Sequence, residues 1–291
     1  MTDMHTYAFT SPDELLAAVA TGETATIADL VRRDLRLTDE DDVCGVVLRG
    51  GGRSAFASDN PWALPDDGDL TALLQQVWAP AAAECPQFVR TLSREVMGVL
   101  LVRAKNEFRL GYIAFIPRGG RTVRAPSDVS ELPSLAEDGQ LHWFWGGPPT
   151  SLDVVGAAGA EFEVPDPVRI IASVHATLAA PDAEWSMDTG MLKASLGDAL
   201  REQFEQWRED DDDDDDMEYA YDEEDFITYD DHRLLASYPP GMQYSVIVPG
   251  DAGQRDHCLV ATFDHQDMNV VETRPFWEWF HRETSTLLFG L

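Results

Sequence analysis

Lysine is almost missing from this chain of 291 residues. Lys105 and Lys193 are the only two, and the other basic side chains are arginines. Against 21 basic residues stand 53 acidic ones, a formal net charge of −32 at pH 7. An excess this large excludes nucleic acid and anionic membrane surfaces as partners for most of the surface, because like charge repels them. Long apolar runs are also lacking. None approaches the ~20 residues that cross a bilayer, and the longest, Met97–Val102 and Tyr244–Val248, are strand-sized. No basic segment followed by an apolar one opens the chain, so no secretory leader is expected. Cysteine is scarce. Cys44, Cys85 and Cys258 are odd in number and far apart, which suits a reducing cytoplasm better than a disulfide framework and shows no zinc spacing.

Catalytic signatures are missing too. There is no Walker motif, GxSxG elbow or HExxH helix. The seven histidines are scattered. His257 and Cys258 are adjacent, and neighbours on a strand point to opposite faces, so they form no thiolate–imidazole dyad with each other. Asp264-His265-x-Asp267 has the residue types for a metal but reads better as a polar turn. Gly50-Gly51-Gly52 follows a strand, yet no Lys-Ser/Thr follows it, so a hairpin turn is expected in place of a phosphate cradle. No catalytic residue, metal site or cofactor is expected.

What is present is charge, and it is concentrated. Glu209 to Asp231 holds fifteen carboxylates and no Lys or Arg, including seven consecutive aspartates, Asp210–Asp216. A salt-adapted surface would spread its carboxylates more evenly. Aspartate is a poor helix former and the run repels itself, so a solvated loop is expected, serving either solubility or a basic partner. The glycine-punctuated spacing of a calcium loop is absent.

The hydrophobic pattern gives an α+β chain of two modules, each a mainly antiparallel sheet packed by helices. In residues 1–125, Ser11-Pro12-Asp13-Glu14 opens a helix, and Thr26–Leu35 and Leu70–Trp78 are amphipathic. Val43–Leu48 is a strand, and Met97–Ala104 with Phe108–Ile116 makes a hairpin. Residues 126–150 are rich in Pro, Gly and aromatics and read as a linker, with His142-Trp143-Phe144-Trp145 as a plug between modules. In residues 151–291, helices are expected at Leu152–Gly159, Val168–Leu178 and Met191–Arg208. An acidic insertion at 209–225 follows. Strands are expected at Phe226–Tyr229, Leu234–Tyr238, Gln243–Val248 and Cys258–Phe263, and Pro275 opens a last helix, Phe276–Leu288.

The order of the second half resembles the SUKH superfamily of bacterial immunity proteins and fungal cell-wall regulators. The resemblance covers Ser151–Leu291. It rests on Phe162-Glu163-Val164-Pro165 followed by Arg169, Val174 and His175, and on Ser237-Tyr238-Pro239-Pro240-Gly241 leading into Tyr244-Ser245-Val246-Ile247. It rests also on Thr262-Phe263-Asp264-His265, Val270-Val271 and Pro275-Phe276-Trp277-Glu278-Trp279-Phe280. It implies an α+β fold and a binding activity without catalysis: a cytoplasmic immunity protein that neutralises a basic, nuclease-like toxin domain through an acidic surface. The partner-binding candidates are Tyr219, Tyr221, Asp222, Glu223, Glu224, Asp225, Asp230 and Asp231, which flank the expected strand Phe226–Tyr229. A regulatory scaffold whose acidic loop only solvates, and an enzyme without a familiar motif, are the alternatives.

Overall fold

The computed structural model describes residues 12–34, 37–38, 41–65, 69–118, 124–152, 154–157, 160–180, 185–210, 226–227, 229–238, 243–248, 258–264 and 269–289. The chain divides into two compact units. The first comprises residues 1–151, 170–186 and 277–291; the second comprises 152–169 and 187–276. The α+β class expected from the sequence is the one observed.

In chain order the elements are α1 (Pro12–Ala20), α2 (Thr24–Asp34), β1 (Asp42–Leu48), α3 (Leu70–Val77), α4 (Pro86–Glu95), β2 (Val96–Ala104), β3 (Glu107–Pro117), β4 (Gly139–Gly146), β5 (Val154–Ala157), β6 (Ala160–Glu163) and α5 (Asp166–Ala172). Then follow β7 (Thr177–Ala179), β8 (Ser186–Asp188), α6 (Leu196–Asp210), β9 (Arg233–Tyr238), β10 (Gln243–Val248), β11 (Leu259–Asp264), β12 (Asn269–Pro275) and α7 (Phe276–Phe289).

The first unit is built on an antiparallel sheet in the order β1-β2-β3-β4-β7. Its central hairpin is closed by Lys105 and Asn106, both at positive φ (51° and 66°). That is the primed two-residue turn whose twist matches the flanking strands. Both faces of the sheet are covered, which is why β2 is a continuous apolar run buried from Val96 to Val102. On one face, Leu15 and Val19 of α1 and Ile27 and Val31 of α2 join Leu48, Leu100, Val102, Ile113 and Phe115. On the other, Trp78 at the end of α3 packs edge-on to Phe88 of α4 at 4.7 Å, and Phe88 meets Phe280 of α7 at 5.2 Å. Burial contributes about 1.5–3 kcal/mol for each such phenylalanine.

Residues 126–150 are not a linker. They carry β4, paired with β3 from Leu110↔Gly146 to Pro117↔Gly139. Strand alternation sorts the aromatic cluster. Leu141, Trp143 and Trp145 enter the core beneath α1 and α2. Phe144 faces the other way, 5.6 Å from Phe289, and His142 Nε2 donates to the Leu288 carbonyl at 2.6 Å. The cluster holds two layers of one unit. The boundary expected near residue 151 is likewise incomplete, because β7 and α7 return to the first unit.

A buried polar chain crosses the layer beneath α3. Trp78 Nε1–H donates to Tyr112 Oη at 3.1 Å, and Tyr112 Oη lies 2.6 Å from His175 Nε2. His175 Nδ1 lies 2.9 Å from the Gly147 carbonyl. A carbonyl only accepts, so Nδ1 carries the proton, Nε2 accepts, and the tyrosine donates. Gly146 makes room for the ring: a Cβ there would lie 2.2 Å from His175 Nδ1. Trp62 Nε1–H donates to the Val174 carbonyl at 2.9 Å and closes the site from the side. Capture of His175 also explains why the expected helix Val168–Leu178 stops at Ala172. The chain turns at Ser173 and Val174 and continues as β7. Of the other expected helices in this half, Leu152–Gly159 instead carries the strand β5, which pairs with β6 in the second unit, as its β-branched Val154-Val155 pair favours.

Two outcomes are expected. His175 is completely buried, and burial lowers its pKa from 6.5 to about 4. The unfolded state therefore binds the extra proton between those values, and stability falls as pH drops through that window, by about 3 kcal/mol for this group. Urea unfolding at pH 7 and pH 4.5 should show a smaller acid loss in His175→Asn than in the parent; equal losses would refute the assignment. Residues 151–291 expressed alone should lack a cooperative melt, because Phe280 and Phe289 lose Trp78, Phe88 and Phe144. A sharp transition would show that this segment is a domain.

Candidate binding surface

The second unit carries 28 acidic and 7 basic side chains, a formal net charge of −21. About two-thirds of the excess negative charge of the chain thus belongs to the smaller unit. Its core is a meander, β9-β10-β11-β12, with α6 on one face. Leu196 and Leu200 of α6 meet Leu234, Val246, Ala261 and Phe263. The start of α6 is fixed by Ser195 Oγ, which accepts the Asp198 amide at 2.9 Å, an N-cap bond. The expected single helix Met191–Arg208 is therefore divided, with a tight 3-10 turn at Thr189–Lys193 ahead of Ser195.

The aspartates from Asp211 onward and the candidates Tyr219, Tyr221, Asp222, Glu223, Glu224 and Asp225 lie outside the described residues. The chain is described again at Phe226. The expected strand Phe226–Tyr229 is not formed: Phe226 and Ile227 are helical, and Tyr229 to Asp231 turn. The reason is in the spacing. Phe226 is buried against α6, and Tyr229 sits edge-on to Phe263 at 4.9 Å. A helical turn brings positions three apart to one side, whereas a strand would send them to opposite faces.

Asp230 and Asp231 differ in role. Asp230 accepts from Arg201 at 2.7 and 3.2 Å. Its Oδ1 lies where a Cβ on Gly197 would stand, at 2.2 Å. The Gly197 amide donates to the Tyr229 carbonyl and the Leu196 amide to the His232 carbonyl, at 3.2 and 2.8 Å. Asp230 thus clamps α6 to the 229–231 turn, while its side chain stays 43% exposed. Asp231 is exposed. These contacts join the first turn of α6 to the chain that follows the acidic stretch.

The second unit also holds every exposed large hydrophobic side chain found among the described residues: Ile227, Leu259, Val270 and Val271. Ile227 lies three residues before Asp230. Leu259, Val270 and Val271 lie on the last two strands.

Several candidate groups elsewhere among the described residues are taken up in packing. The Tyr112–His175 pair is fully enclosed and each polar atom in it is used. Burial pushes the Cys85 and Cys258 thiols up to about 12 and raises that of Cys44, so none of the three is a thiolate at neutral pH. No cluster of three His, Cys, Asp or Glu among the described residues could hold a metal ion. His257, His265 and Asp267 lie outside those residues, and Asp264 accepts from Gln243 at 3.2 Å. No described helix is long and apolar enough to cross a membrane.

The clamp yields a graded expectation. Gly197→Ala forces a methyl against Asp230 and the Phe226 carbonyl (2.8 Å), and should cost about 1–3 kcal/mol in denaturant unfolding. Asp231→Ala should stay within about 0.5 kcal/mol. Equal effects would mean that Asp230 does not brace this turn. In comparisons with known proteins, the chain matches no family model, no curated protein and no solved structure.

Proposed function

We propose that the chain is a cytoplasmic binding protein of the immunity type, which neutralises a basic, nuclease-like toxin domain by presenting an acidic surface. One observation carries the reading: the segregation of charge, with −21 of the net −32 in the second unit and fifteen carboxylates between Glu209 and Asp231. Solubility alone asks for dispersed charge. A field concentrated on one unit raises the rate of encounter with a cationic partner, toward 10⁸–10⁹ M⁻¹s⁻¹ at low salt. That suits an inhibitor that must outrun its target. The exposed Ile227, Leu259, Val270 and Val271 give the same unit apolar contact area, which interfaces use for affinity where charge supplies steering. The resemblance of residues 151–291 to the SUKH superfamily supports the same activity and assigns no catalytic step.

Within this reading, Tyr219 and Tyr221 are aromatic anchors, and Asp222, Glu223, Glu224, Asp225, Asp230 and Asp231 supply the specific charge. Toxin and immunity genes lie side by side, so the test is co-expression with the product of the adjacent gene. The parent chain should protect cells, and the affinity of the pair should fall steeply with salt. Reversal of Glu223, Glu224 and Asp225 to Lys should abolish protection, whereas reversal of Asp211–Asp213 should mainly slow association. Equal loss from both would reduce the surface to non-specific attraction. No loss from either, or full toxicity beside the parent chain, would reject the reading.

A further inference from the structure

The meander of the second unit ends on β12, which pairs with β11 along one edge and with no other described strand. Five of its seven residues are exposed, and Glu272 and Arg274 are half-buried. Opposite partners in a sheet share a face. Val270 pairs with Phe263 and Thr273 with Ala261, so both belong to the face beneath α6, where Ala261 and Phe263 are core. Leu259 lies on that same face by strand alternation. The apolar face therefore continues past the core to Leu259 and Val270, which are 41% and 39% exposed. Between Val270 and Glu272 the register shifts by a bulge, and the extra residue is Val271, 59% exposed.

Edge strands are ordinarily guarded by charge, proline or a bulge, because an open edge recruits other strands. Here the opposite face has its guard: Arg274 bonds Glu272 at 2.7 Å, over Val260 and Thr262. The bulge at Val271 and Pro275 interrupt the strand near its two ends, so a further strand has only a short stretch to pair with, and the α6 side beside it ends in Val270 and Leu259. We infer that the outer edge of β12 is a docking edge for an extended, arginine- or lysine-rich segment of a partner protein, added as a further strand with its β-branched or aliphatic side chains over Val270 and Leu259. Charge selects this occupant. A second copy would bring another net −21 to the edge, whereas a cationic strand gains from the field of the unit. Strand addition supplies backbone hydrogen bonds for affinity, and alternate side-chain sites supply specificity.

This inference rests on the acidic-binder reading and fails separately from it. The probes are three nine-residue peptides, alternating Arg/Val, Arg/Pro and Glu/Val, added to the isotope-labelled full chain while backbone amide shifts are followed. The Arg/Val peptide should shift the amides of 269–274, and the double variant Val270→Lys with Val271→Lys should weaken it at least tenfold. The Arg/Pro peptide, which cannot complete a ladder, should bind at least tenfold more weakly at the edge. Val271→Lys alone, at an exposed bulge, reports whether the fold tolerates the change. Equal edge shifts from the Arg/Pro or the Glu/Val peptide would overturn the inference, as would concentration-dependent dimerisation through β12. Shifts confined to 209–231 would overturn the docking edge and leave the acidic-binder reading standing. No shift from either arginine peptide would remove both.

Discussion

The proton on His175 Nδ1 decides more of this structure than any other single feature. The Gly147 carbonyl demands that proton, so Nε2 must accept, so Tyr112 must donate, so the tyrosine oxygen is left to receive Trp78. One tautomer thus links the end of β4, the turn before β7, the middle of β3 and the end of α3. A buried network of this kind is satisfied completely or costs about 1–3 kcal/mol for each group left unpaired. Here it is complete, and it is sealed by aromatic rings: Trp62 and Trp78 stand 5.5 and 5.4 Å from the imidazole, and Phe144 stacks on Tyr112 at 4.6 Å. The same enclosure denies the pair any catalytic use. A histidine held neutral and a tyrosine whose pKa burial pushes up have no solvent or substrate to exchange protons with.

Much of the first unit was legible in the sequence because its signals are local. Met97–Ala104 and Phe108–Ile116 around Lys105-Asn106-Glu107 read as a hairpin and are one. The misreadings share a cause, namely that side-chain destination was decided by distant partners. His142-Trp143-Phe144-Trp145 sits among prolines and glycines, and nothing nearby shows that β3 and β7 wait on either side of it. Val168–Leu178 keeps helical spacing to its end, but His175 is more stable under Tyr112, 63 positions away. The helix α4 went unread although Pro86 stands at its first position and Phe88 and Leu92, one turn apart, are both fully buried.

The candidate surface was legible as charge and not as geometry. Fifteen carboxylates are plain in the sequence, but the β-branched and aromatic content of Phe226-Ile227-Thr228-Tyr229 suggested a strand. Only the α6 core shows that Phe226 and Tyr229 must face the same way. Asp230 looked like its neighbour Asp231 until Arg201, 29 positions earlier, was placed beside it. Neither the exposed end of β12 nor its bulge leaves a mark in composition, since Asn269-Val270-Val271 reads like any other strand start.

Self-repulsion among those carboxylates acts to spread the two ends of the stretch apart, and the fold opposes it at the base. The Arg201–Asp230 pair is partly exposed, and pairs of that kind hold about 0.2–1 kcal/mol. Burial of Phe226 in the α6 core is worth about 1.5–3 kcal/mol, and the Gly197 and Leu196 amides add two backbone bonds to the same turn. The phenylalanine is therefore the anchor, and the ion pair sets direction. High salt screens the pair and the repulsion together, since both act between partly solvated charges, and leaves the apolar anchor in place. The attachment of the acidic stretch therefore depends chiefly on Phe226, Tyr229 and Gly197, and Asp230 is the carboxylate within it that adds to the hold.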